Sequence, residues 1–304
     1  MNRRFLTRAS LLLASPMIWP TALAPMARAA APEDSHAVVV STQTLPIHSC
    51  PDTSCPVQTR AALGDEVTIT GQPQDGFTPV SYGETRGFAS PFFLAADPAD
   101  PPFLVGGTPG CQRVAFLFNV GVGFEPDTGI LDTLEANQVP AMMFVMGWWA
   151  DEDPPILQRM VAAGYPIASH GYDAIELTTR TDDEVYDDIV HAAATIEQMT
   201  GTAAAPFFTP YAAAIDDRVR SIVAGQGLLP VAWEVPAADY GPDATEASVY
   251  SRVMDNMHDG AIVEFHLDAE FSKESTGRAL PRIIADLRQQ GYQFVTIPEM
   301  MEPC

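Results

Sequence analysis

Val114-Ala-Phe-Leu-Phe-Asn-Val-Gly121 is an apolar run of strand length that stops on an amide, an isopropyl group and a glycine. Further apolar runs lie at residues 141–145, 166–169, 206–208, 230–233, 262–265 and 294–297, so seven strands are predicted, the first over 114–118. Helical spacing fills the gaps at 129–137, 155–163, 182–199, 216–225, 246–258 and 279–290. Thr181-Asp-Asp-Glu184 has the form of a capping box for the longest of these helices. Strands that alternate with helices predict an α/β unit on a parallel sheet. In such a unit functional groups belong at the C-terminal ends of the strands. Asn119 falls at such an end.

The chain upstream reads differently. Residues 36–96 alternate short β-rich runs with turn signals such as Gly64-Asp65, Gly71-Gln-Pro73 and Asp75-Gly76, which predicts a small all-β barrel. Residues 97–110 are rich in Pro, Asp and Gly without periodicity and read as a linker. Residues 1–29 have the form of a signal peptide: Arg3-Arg4, an apolar stretch from Leu11 to Ala24, then Ala27-Arg-Ala29. A membrane span needs ~20 apolar residues, and Pro16, Pro20 and Pro25 interrupt this one. A periplasmic or secreted protein without a membrane anchor is expected; Sec and twin-arginine export are both open.

The whole chain carries a formal charge of −23. Removing residues 1–29 takes four Arg and no acid, leaving 12 basic against 39 acidic residues and a charge near −27. Such a surface repels nucleic acid and anionic lipid and suits a neutral or cationic glycan. Four cysteines in an exported chain predict two disulfides. Of three possible pairings, Cys50–Cys55 follows from sequence proximity and Cys111–Cys304 from the bracketing of the α/β unit.

Residues 111–304 resemble the polysaccharide deacetylase (NodB homology) family. Residues 114–121 stand where that family has a strand ending in Thr-Phe-Asp-Asp-Gly, and Ala141-Met-Met-Phe-Val-Met-Gly147 where it has Ala-Thr-Phe-Phe-Val-x-Gly. Residues 155–170 and 279–296 track its second motif region and closing helix and strand. The resemblance implies a distorted seven-stranded β/α barrel and a metal-dependent carbohydrate N-deacetylase, a hydrolase of C–N bonds. Residues 36–96 resemble bacterial SH3 domains, through Leu45-Pro-Ile-His-Ser-Cys-Pro-Asp-Thr53 and Gly83-Glu-Thr-Arg-Gly-Phe-Ala-Ser-Pro-Phe-Phe-Leu94. The aromatics Phe77, Phe88, Phe92 and Phe93 there are read as barrel core.

The family's functional positions are largely replaced. Asn119 stands for the catalytic base, Val120 and Ala174 for two of three metal ligands, and Phe208 for the Arg that orients the base. His170, the third ligand, and His266, the general acid, remain. Pro236 stands for the Asp that would orient His266, and Glu264 for an apolar residue lining the acetyl pocket. Water activation needs metal and base together, so neither catalysis nor a Zn²⁺ cofactor is expected. A glycan, peptidoglycan or chitin-like and N-acetylated, is the expected partner. It would bind through His170, Tyr211, Asp239, Tyr240 and His266, with Trp148 and Trp149 as a further stacking face or as core. Two other readings are a divergent deacetylase with a metal site rebuilt from His170, Asp173 or Glu176, Asp239 and His266, and a protein-interaction scaffold.

Overall fold

The computed structural model describes residues 35–152 and 154–304. The expected signal peptide lies outside them. Two sheets divide the described chain.

The first is antiparallel, built from β1 (Ser35–Val39), β2 (Thr44–His48), β3 (Val57–Ala62), β4 (Glu66–Ile69), β5 (Thr78–Tyr82), β6 (Thr85–Ala89) and β7 (Leu94–Ala95). Its order is β3-β2-β6-β5-β4-β1-β7. Inward positions alternate with outward ones, as a half-buried strand requires, and bury Ala37, Val39, Leu45, Ile47, Val67 and Val80. Phe77 is buried, Phe93 packs against both this core and that of the second unit, and Phe92 packs against the second unit's core. Cys50 and Cys55 are bonded in the loop after β2.

The second sheet has eight strands: β8 (Arg113–Val120), β9 (Met142–Val145), β10 (Ile167–Ser169), β11 (Ala205–Phe208), β12 (Leu229–Pro230), β13 (Val235–Pro236), β14 (Ala261–His266) and β15 (Gln293–Val295). Seven were expected; the two-residue β13 is too short for any periodicity to reveal. All its ladders are parallel, in the order β12-β11-β10-β9-β8-β14-β13, with β15 also on β8. Helices α1 (Thr128–Ala136), α2 (Gly147–Glu152), α3 (Pro154–Ala162), α4 (Asp182–Thr200), α5 (Asp217–Gly225), α6 (Glu246–Asp255), α7 (Thr276–Gln289) and α8 (Ile297–Met300) connect and cover it. The capping box at Thr181 and Glu184 is formed.

Both faces of β8 are dry, which is why its sequence is a continuous apolar run. Val114, Phe116, Phe118 and Val120 pack outward with helix residues such as Ile130, Leu280 and Ile284. Ala115 and Leu117 face inward with Met142, Phe144, Ile262, Leu104 and Met300. Asn119 continues this inward row by the strand's period of two. Leu104 belongs to the stretch read as a linker, yet it is buried, donating its N–H to Pro230 O at 3.0 Å and accepting from Ala232 N at 2.8 Å. Residues 97–110 are therefore partly a packed element of the second unit. Cys111–Cys304 is formed, and the Arg113 guanidinium beside it donates to the carbonyls of Glu299, Glu302 and Pro303.

Candidate functional site

The ends of five strands bring polar side chains into one buried row. β8 supplies Asn119, β14 supplies Glu264 and His266, and the ends of β10, β11 and β13 lead to His170, Thr209 and Asp239. His266 and Asn119 are register partners, and Glu264 shares the inward face of His266 two residues earlier.

The row is continuous. His170 Nδ1 lies 2.8 Å from Thr209 Oγ1 and 2.9 Å from Thr209 O. Thr209 Oγ1 donates to Asn119 Oδ1 at 2.9 Å. Asn119 Nδ2 donates to Glu264 Oε1 over a long 3.4 Å. The same oxygen is 3.2 Å from His266 Nε2. His266 Nδ1 is 2.8 Å from Asp239 Oδ1. Asp239 Oδ2 accepts from His266 N at 3.0 Å and from Thr276 Oγ1 at 2.6 Å.

His266 does have an orienting carboxylate, supplied by Asp239 rather than by position 236. Ala238 has a φ of 49°, and this left-handed residue lets the turn present Asp239 to His266; Pro236 stays in β13, paired with Glu264. Asp239 is fully buried and both its oxygens are engaged within the row.

The electrostatics follow from burial. Burial alone would depress His266, but the charges of Glu264 and Asp239 raise its pKa to about 9. Burial pushes the Glu264 carboxyl up, to about 7, against the opposing pull of His266. Burial pushes His170 down to about 3, so it sits neutral. Asp268, two residues past His266, is also raised by burial. Its carboxylate accepts from Gly121 N at 3.1 Å and Gly123 N at 2.9 Å, which pins the loop after β8. Gly121 has a φ of +126° and lies against Met146, where a Cβ would come within 2.6 Å of that side chain. That close approach requires glycine.

The remaining expected site residues are scattered. Val120 is fully buried on the helix side of the sheet. Phe208 is buried with Leu177, Val185 and Val219. Ala174, Asp173 and Glu176 lie in the loop after β10, where Asp173 N bonds to Asp188 Oδ1 at 3.1 Å. Asp173 lines a groove of about 310 Å³ with Tyr172, Asp188 and His191, away from His170. Among the described residues no group of three or more His, Cys, Asp or Glu is placed to hold a metal ion. The donor set at the family's metal position is one imidazole, an isopropyl and a methyl, which does not fit Zn²⁺. The alternative set of His170, Asp173 or Glu176, Asp239 and His266 does not form such a group.

Aromatics flank the row at both ends. The Tyr211 ring lies 6.4 Å from His170 and the Tyr240 ring 5.5 Å from His266, edge to face. Tyr240 is 55% exposed. Trp149 is core, whereas Trp148 is half-buried, its indole N–H directed at Met146 Sδ at 3.2 Å. Thr209, Thr276, Asp268 and the exposed Phe124 carry no motif signal in the sequence, and Glu264 is more than a replaced apolar residue. One signal was available for Glu264: a lone acid inside an otherwise apolar strand must face something polar.

Residues 106–231 match the family described as polysaccharide deacetylase. The peptidoglycan-N-acetylglucosamine deacetylase PgdA of Listeria monocytogenes is 30% identical over 189 residues, which cover 62% of this chain and 39% of the relative. This chain therefore spans well under half of that protein. The solved Bc1960 peptidoglycan N-acetylglucosamine deacetylase superposes with a TM-score of 0.61 at 26% identity, over 65% of this chain and 92% of that one. BA3943 of Bacillus anthracis, a CE4 family pseudoenzyme, shares the fold with a TM-score of 0.62 at 22% identity, over 86% and 91%.

Proposed function

We propose that the second unit, a polysaccharide deacetylase domain by fold and by family match, holds a cell-wall amino-sugar glycan without hydrolysing it. One observation carries this reading. The polar groups at the strand ends satisfy one another, Thr209 to Asn119 to Glu264 to His266 to Asp239. Asn119 stands at the family's base position, and among the described residues no group of three or more His, Cys, Asp or Glu is placed to hold a metal ion. His266 keeps its orienting Asp239, but Nε2, the nitrogen that would meet a leaving group, faces Glu264 instead. The groups left to meet a sugar are the rim rings Tyr240 and Tyr211.

The −27 charge supports a neutral or cationic ligand. The relatives' peptidoglycan substrates and the expected signal peptide support a cell-envelope location. Among the described residues no helix is long and apolar enough to cross a membrane. For the antiparallel first unit we propose a bacterial SH3-like barrel that serves as an attachment module or spacer.

The test has two arms. Dialysed protein is analysed for zinc, manganese and iron, and acetate release from N-acetylated oligosaccharides is assayed with and without chelator. The expected result is no stoichiometric metal and no acetate. Metal at one ion per chain, or acetate release abolished by chelator, defeats the non-catalytic reading. Oligosaccharide binding is measured in parallel, with an expected Kd about millimolar, some −4 to −6 kcal/mol. Absence of all binding defeats the glycan reading and leaves a scaffold.

A further inference from the structure

A groove of about 560 Å³ lies between the first turns of α6 and α7, a volume that suits a sugar or a short peptide. Thr245, Glu246 and Tyr250 line one side; Glu274, Arg278 and Arg282 line the other. Both helices pack beside the turn that carries Tyr240. The Thr276 hydroxyl of α7 donates to Asp239 Oδ2, and Arg252 of α6 donates to the carbonyls of Ala237 and Ala238. The groove therefore lies near the strand-end edge of the sheet, outside the buried row.

Beyond residue 29 the chain has 12 basic residues against 39 acidic ones. Four of the 12, Lys273, Arg278, Arg282 and Arg288, fall within residues 273–288, beside only two acids, Glu274 and Asp286. This segment is net positive in a strongly acidic protein, and two of its arginines reach the groove. Arg278 is paired with Glu274. Arg282 is held differently: its guanidinium lies over the Tyr250 ring, 3.8 Å from the centroid. The Tyr250 hydroxyl donates to Asp286 Oδ2 at 2.6 Å, and the same oxygen is 3.5 Å from Arg282 Nε. Stacking fixes the plane of the guanidinium, and Asp286 meets it at Nε. The terminal NH2 groups, on a side chain 64% exposed, keep donors for a ligand. A fork with a fixed plane matches a planar carboxylate, which accepts two parallel N–H bonds. Glu246 and Glu274 on the groove wall oppose a second negative charge, so a monoanionic carboxylate fits better than a phosphate dianion.

We propose that the α6–α7 groove is a second binding site, for a ligand that carries one carboxylate, with the acid on the Arg282 guanidinium. It stands apart from the glycan reading, because it shares no residue with the strand-end row. An acidic sugar and a peptide C-terminus both present this group, and matched probes separate the two sources.

The two-domain protein is titrated by calorimetry and NMR with two matched pairs: N-acetylmuramic acid against N-acetylglucosamine, and N-acetyl-alanyl-alanine against its C-terminal amide. In at least one pair the acid is expected to bind about tenfold tighter, as one added charge-assisted contact implies. The Arg282 Nε–H and Tyr250 ring resonances should shift with it. The pair that shows the preference identifies the source of the carboxylate. Arg282→Gln should bring acid and neutral partner to within about twofold of each other. Arg282→Lys keeps the charge without the fork and should lose most of the preference. Arg282 is exposed on the helix surface, so both variants are expected to fold. Full preference in Arg282→Lys reflects diffuse attraction and overturns the assignment. Equal binding within both pairs, shifts that avoid Arg282 and Tyr250, or tighter binding of inorganic phosphate than of either acid overturns it as well. Binding of a neutral N-acetylated oligosaccharide should be unchanged in Arg282→Gln, so this site and the glycan reading fail separately.

Discussion

Replacing Asp239 by Ala removes the acceptor on which three donors end. The carboxylate is fully buried and takes His266 Nδ1–H at 2.8 Å, His266 N–H at 3.0 Å and the Thr276 hydroxyl at 2.6 Å. A buried donor without a partner costs about 1–3 kcal/mol, and breaking a buried charge pair from one side costs about 3–5 kcal/mol. The three donors share one acceptor, so the penalties are not additive, and the expected loss is about 3–5 kcal/mol. Asp239→Asn keeps the shape and one acceptor oxygen and should lose about half of that. A second signature is linkage. His266 titrates near 9 when folded and near 6.5 when unfolded. Its folded value is raised, so its stabilisation is full below about pH 6.5 and is lost as pH rises through about 9. Removing one of the three carboxylates that raise it should flatten that decline and move the NMR titration of the His266 ring to lower pH. Urea unfolding of wild type, Asp239→Asn and Asp239→Ala across this range measures both effects. A loss below about 1 kcal/mol in Asp239→Ala, or parallel pH profiles for wild type and Asp239→Asn, refutes the pairing.

Thr209→Val removes the hydroxyl that bridges His170 and Asn119 and should cost about 1–3 kcal/mol in chemical denaturation. His170 is the opposite case to His266: its folded pKa is depressed to about 3, so its contribution is present above about pH 6.5 and is lost as pH falls; His170→Asn should reduce that acid-side loss. Val120→Asp places a carboxylate in the apolar layer beside Val145 and Met146 and should cost about 3 kcal/mol or more, read as a lower melting temperature. Opening Cys111–Cys304 by double Ser substitution frees a span of 193 residues and should cost about 4–5 kcal/mol in the chain-entropy account, measured by urea midpoint.

Much of the architecture was legible because it rests on local physics. Continuous apolar runs mark strands dry on both faces, and the cap at Thr181 and Glu184 is a four-residue pattern. The cysteine pairs agree with their spacing. What escaped depends on approach in space. β13 is two residues long. That Asp239 rather than position 236 meets His266 depends on a left-handed turn at Ala238, which motif spacing does not show. Glu264 could be read as a missing apolar wall, but its engagement with Asn119 and His266 follows only from β8 and β14 lying in register. Leu104 looked like linker because a single apolar residue among prolines has no period; a β-bridge to Val231 buries it.

The place where the two units meet has a consequence for reach. Ser41 N bonds to Ala224 O at 3.1 Å and Gln43 Nε2 to Gln226 O at 3.0 Å, while Thr53 and Gly76 lie against Glu302 and Pro303. Residues 224 and 226 precede β12, and the 302–303 segment is held by Arg113 at the start of β8. The antiparallel unit thus docks at the N-terminal edge of the parallel sheet, while Tyr240, His266 and Phe124 open at the opposite edge. It cannot fold over those rings as a lid, and the two units cannot pinch one sugar between them. A ligand held at the Tyr240 edge would therefore meet the parallel unit alone.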